Sequence, residues 1–128
     1  MKRFSLSHTR GMFTVDGEAL LIGNDVAIIL WGGSAPHIGA VAMAIPRPSL
    51  KDKSVTSATS SVLTSPGHME DAIVKGFSER LSAALNCTVV VSAGMHWDDM
   101  SIEKIDTVRL VCAELTQDFI DALKKETE

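Results

Sequence analysis

Three short turns hold most of the residues in this chain that could do chemistry. They are Gly32-Gly33-Ser34-Ala35-Pro36-His37, Ser65-Pro66-Gly67-His68 and Gly94-Met95-His96, and each runs from glycine to histidine. Three of the four histidines sit in them, while His8 stands alone near a start expected to be flexible. Glycine lets backbone N–H groups come close to a ligand. A helix N-terminus supplies free N–H groups and the positive end of a dipole. Histidine adds a donor that can carry charge. Together these suit a phosphate, with a cradle expected from the N–H groups of Gly67 and His68.

Other chemistries are open to the same residues. His68 and Asp71 are three apart at a helix start and can face one way, and His37 or His96 could complete a set of metal ligands. That reading makes the chain a small metal-binding protein or metal-dependent enzyme, although it has neither HExxH nor CxxC. Nucleophilic catalysis has little to stand on, because no serine lies in G-x-S-x-G and neither cysteine has a recognisable histidine partner. No catalytic residue is assigned. The first turn lacks the G-x-G-x-x-G spacing of a dinucleotide site, and no Gly-Lys-Ser/Thr follows it. Trp97 could stack on a planar ring or anchor the core. Asp98 and Asp99 could be general bases or simply precede a helix. Taken singly, each turn reads as an ordinary loop; the composition occurring three times is what points to a site.

The elements that must position these turns are readable from pattern. Gly11 to Ile22 reads as a first strand, Gly23-Asn24-Asp25 as a hairpin turn, and Val26 to Trp31 as a buried central strand. Ile38 to Ile45 reads as a strand and Pro46 to Lys53 as a polar loop. The hydroxyl-rich stretch Ser54 to Ser65 reads as a strand in preference to a linker. Ser65 is then expected to cap a helix with Pro66 as its first residue. Ile73, Phe77, Leu81 and Leu85 form its apolar stripe, and Asn86 ends it. Thr88 to Ala93 is another buried strand, and Gly94 to Asp99 a loop. Ser101 caps a last helix whose stripe is Ile105, Val108, Cys112, Leu115 and Phe119, either core packing or a dimer seam. The expected class is α+β: one domain over residues 1–128, with a mostly antiparallel sheet and two helices on one face.

Composition agrees. The 128 residues are 45% hydrophobic and 22% charged, with a net charge of −4. No basic run extends beyond Met1-Lys2-Arg3, which argues against nucleic acid as a partner. Cys87 and Cys112 lie in apolar stretches and read as reduced core thiols. No apolar run approaches a membrane span, and no apolar region follows Lys2-Arg3 as in a signal peptide, so a cytoplasmic protein is expected.

Pro36-His37-Ile38-Gly39-Ala40-Val41, then Ser65-Pro66-Gly67-His68 with Asp71, then Ala93-Gly94-Met95-His96 with Asp98 or Asp99, resemble the LpdD-like prenylated-flavin chaperones. That family is also known as a subunit of gallate decarboxylase and related hydroxyarylic acid decarboxylases. The resemblance covers about Gly11 to Leu115. Met95 and Trp97 depart from it, flanking His96 where smaller aliphatic residues are expected. It implies a fold similar to proteasome assembly chaperones, commonly paired as a homodimer. It also implies a non-catalytic carrier of prenylated FMN that serves a UbiD-type decarboxylase and receives its cargo from a flavin prenyltransferase. Gly33, Pro36, His37, Ser65, Gly67, His68, Asp71 and His96 are the cofactor-binding candidates. A bridging metal ion remains open, with no assigned ligands. A structural accessory subunit that stabilises a larger decarboxylase is the blander alternative.

Overall fold

The computed structural model describes residues 2–65 and 69–127, and for Thr127 the backbone alone. Alternation of side chains builds most of the sheet. In β1 (Arg3–Arg10) Phe4 and Leu6 turn towards the helices, and in β2 (Phe13–Ile22) Phe13, Val15 and Ala19 are buried. The β1–β2 and β2–β3 hairpins have two-residue loops, Gly11-Met12 and Gly23-Asn24, with β3 spanning Asp25–Gly33. Each loop puts a glycine with positive φ first, +56° at Gly11 and +59° at Gly23, as type II′ turns require. The expected β2–β3 hairpin is therefore present.

β1 is a correction to the reading of the first ten residues as a flexible start. Its apolar alternation is short and interrupted by His8. Much of its anchorage is remote: Lys2 reaches Glu126, Arg10 reaches Glu114, and His8 lies 3.1 Å from Asp118, all on the last helix. β4 (Ala40–Pro48) runs into the segment expected to be a polar loop and pairs with β5 (Thr56–Thr64) along its length. Its pairing with β6 stops at Ala44, so Pro46 and Pro48 sit where no second neighbour needs their missing N–H groups.

α1 (Glu70–Leu85) buries Ile73, Val74, Phe77 and Leu81, and ends at Asn86 in the left-handed conformation, φ 52°. Its N-cap position is Met69, which makes no side-chain cap, so Ser65 does not cap this helix. β6 (Val89–His96) extends three residues into the expected loop, because the backbone continues to pair with β3. α2 (Ile102–Thr127) starts with Ser101 Oγ accepting from Lys104 N–H at 3.2 Å, as expected of a cap.

The strand order is β1-β2-β3-β6-β4-β5, with β3 and β6 parallel and every other pair antiparallel. The core lies between the sheet and both helices, which share one face. Val15, Ile28, Leu30, Val89 and Val91 meet Val74, Leu81, Val108, Leu115 and Phe119 there. Phe77 and Phe119 make an edge contact at 6.1 Å, and Phe119 also lies over Gly17, where a Cβ would come within 2.8 Å of its ring. The α2 stripe is thus core packing, not a dimer seam. The other face of the sheet is bare and carries exposed Ile29, Met43, Ile45 and Leu63.

Candidate functional site

The parallel pair β3–β6 ends with Gly33 beside His96, and the first and third glycine–histidine turns leave the sheet together there. Backbone bonds tie them. Ser34 N–H donates to the His96 carbonyl at 2.8 Å, His37 N–H to Gly94 at 3.5 Å, and Gly39 N–H to Ala93 at 2.9 Å. Glycine is required at two of these positions. A Cβ at Gly33 would sit 1.9 Å from the His96 carbonyl oxygen, and one at Gly94 would sit 1.6 Å from that of His37. Segment 34–39 therefore crosses β6 in the space a side chain at 94 would need.

What remains of the second turn joins the same place. Ser65 N–H donates to the Gly39 carbonyl at 2.9 Å, and α1 starts at Glu70 beneath the crossing. Glu70 is the central group. Its side chain is 1% exposed, its carboxyl rests on Gly39, and its Oε1 accepts from Met95 N–H at 3.3 Å. The same oxygen lies 3.3 Å from His37 Nε2, and His37 is 30% exposed. His37 Nδ1 is 2.9 Å from the Ala35 carbonyl, which can only accept. Both ring nitrogens thus face acceptors, so the imidazole–carboxylate pair must hold a proton between its members besides the one on Nδ1.

A pocket of about 220 Å³ opens beside this pair, lined by Met69, Glu70, Met95, His96, Trp97, Met100, Ile105 and Val108. Trp97 is fixed edge-on to Phe13 at 5.4 Å and packs over Gly32, so it is both a core anchor and a wall of the pocket. His96 is exposed, its Nε2 3.0 Å from Asp98 Oδ1.

The structure brings Gly33, His37, Ser65 and His96 to one end of the sheet. Pro36 is exposed on the crossing segment, and Asp71 is exposed on the first turn of α1. Gly67 and His68, with Pro66, lie outside the described residues. Among the described residues no three or more His, Cys, Asp or Glu side chains are placed to hold a metal ion. Glu70 is the residue that sequence reasoning misses. Its signal is its place on the buried stripe, three residues before Ile73 and seven before Phe77, where a carboxylate needs a partner.

A six-stranded sheet with both helices on one face is the architecture of a proteasome assembly chaperone. The chain is similar over 100% of both lengths to a chain in the crystal structure of a chaperone complex for yeast 20S proteasome assembly, with a TM-score of 0.55 and 13% identity. That likeness shows the fold alone. The chain belongs to the prenylated flavin chaperone LpdD-like family, whose domain model matches residues 9–124. No curated protein matches it. No helix among the described residues is long and apolar enough to cross a membrane.

Proposed function

We propose that this chain binds prenylated FMN without turning it over and passes it to a UbiD-type aromatic acid decarboxylase after a flavin prenyltransferase has made it. Family membership supports the ligand class. The observation that carries the site is the buried Glu70, bound to Met95 N–H and His37 at the edge of a pocket walled by thioethers and an indole. Sulfur and aromatic surfaces suit a flavin ring, and His37 and His96 offer imidazole donors to its phosphate. Glu70 repels a phosphate, so its part is to hold His37 in place and not to touch that group. A pocket of about 220 Å³ is smaller than the usual small-molecule site of ~300–1,000 Å³, so it would grip part of the cofactor and leave the rest outside. That suits a carrier, which must release its cargo.

The bare sheet face supports a homodimer. Ile29 is 56% exposed and Ile45 52%, near the centre of that face. Asp16 and Glu18 flank it on β2, and Arg47 flanks it on β4. Stacking two sheets about a two-fold axis along the strands sets the acidic flank of one copy over Arg47 of the other.

Titration with prenylated FMN and with plain FMN, followed by calorimetry and absorbance, tests the carrier. Reversible binding of the prenylated form with its spectrum preserved is expected. Failure of either flavin to bind would leave a shared fold and no carrier. His68→Ala and His37→Ala are each expected to weaken binding by about 1–3 kcal/mol.

A further inference from the structure

A second concavity lies on the solvent side of the helix pair, away from the His37–Glu70 pocket. It has a volume of about 310 Å³, with Phe77 and Cys112 in its floor and Ala72, Gly76 and Ala113 along its walls. Gly76 sits inside α1 where glycine is a poor helix former. Nothing lies within 4 Å of the place its Cβ would take, so no packing contact among the described residues calls for glycine. Its effect is to keep the groove open.

Arg80 and Arg109, one from each helix, also line this groove. Arg80 is held by bonds from its guanidinium to the Ala113 carbonyl at 3.0 Å and to Gln117 Oε1 at 3.1 Å, which leave further N–H donors over. Among the described residues neither arginine forms an ion pair, whereas Arg3 and Arg10 each have a carboxylate partner. Two arginines at an apolar groove, on a chain of net charge −4, favour an occupant with apolar side chains and carboxylates beside them.

We propose that the α1–α2 groove docks an acidic amphipathic helix of another protein. The occupant sets its apolar face on Phe77 and Cys112 and its carboxylates on Arg80 and Arg109. This surface is independent of the flavin pocket and of the bare sheet face.

The probe is a synthetic helical peptide with leucines on one face and glutamates beside them, compared with a twin carrying lysines instead. Binding to the full chain is read by fluorescence anisotropy and by amide shifts of groove residues. The acidic peptide is expected to bind, to shift Gly76 and Ala113, and to weaken as salt rises. Arg109→Glu should weaken it roughly tenfold or more, and Gly76→Leu should abolish it, both variants keeping the parent's circular dichroism. Equal binding of the twins, no binding of the acidic peptide, or no loss in Arg109→Glu overturns the proposal. So does a change in sedimenting mass of Gly76→Leu with no peptide binding to the parent, which would mean that a second copy fills the groove.

Discussion

The carbonyl oxygen of His37 occupies the space of a missing side chain at Gly94, 1.6 Å from where its Cβ would be. The crossing of segment 34–39 over β6 therefore depends on that one absent methyl group. Gly94→Ala must push the crossing off the strand. A cost of about 1–3 kcal/mol is expected from overpacking, with loss of flavin binding, read by urea denaturation and by titration. Gly76→Ala is the control, because its Cβ meets nothing; it should stabilise the chain by ~1 kcal/mol through helix propensity.

Glu70 does two jobs that separate by substitution. Glu70→Gln keeps an acceptor for Met95 N–H but loses the negative charge beside His37. It should fold normally and bind flavin more weakly. Glu70→Leu leaves the buried Met95 N–H without that acceptor, for a cost of about 1–3 kcal/mol. Hydrogen exchange at Met95 should be faster in the leucine variant and near the parent's in the glutamine variant.

Much of this architecture can be read in the sequence. Asn86 as a helix stop, Ser101 as a cap, and the stripes Ile73–Phe77–Leu81 and Val108–Cys112–Leu115–Phe119 all act locally or with a fixed period, so pattern reveals them. β1 is not legible this way, because long-range pairs such as Arg10–Glu114 and the cover of α2 help hold it. The end of β4 is hidden by prolines whose tolerance depends on which neighbour is absent. At the site, glycine and histidine stand out by repetition. Glu70 reads as a dipole partner, because an acidic first turn is the usual reason for a glutamate there.

Mutation of the bare face tests the dimer. Ile29→Lys places a charge at its centre, on an exposed side chain that leaves the core untouched. Sedimentation should show a monomer with unchanged circular dichroism. A parent protein that is itself monomeric at micromolar concentration would remove this face as a self-contact.

The acid limb of stability should carry the mark of Arg10. Its guanidinium bonds Glu114, with Nη2 3.0 Å from Oε2, and holds that carboxyl below its ordinary value of 4.5. A depressed carboxylate adds stability that is present above its unfolded value and lost as pH falls through the folded one. Arg10→Ala should therefore narrow the gap to the parent as the pH drops below roughly 4.5. Thermal melts across that range check it. Equal gaps at pH 7 and pH 3 would show that the pair contributes nothing.

Burial pushes the Cys112 thiol up to about 12. A thiol raised above its unfolded value of 9.0 keeps its proton in the fold, so stability should decline as pH rises past that value towards the folded one. At neutral pH Cys112 should react with a thiol reagent only as fast as the chain unfolds.

The parallel pairing of β3 with β6 is also a join in assembly. On one side stand β1, β2 and β3, a meander of neighbours in sequence; on the other stand β4, β5, α1 and β6. Each half can form its antiparallel pairs by itself, while the join needs the two to meet across a long stretch of chain, a slow kind of contact. Gly33 and His96 come together at the far end of that join, with His37 and Glu70 beside it. The pocket therefore does not exist in either half. A chain whose halves have not docked has nothing to hold a cofactor with, so the ability to bind reports that the molecule is whole.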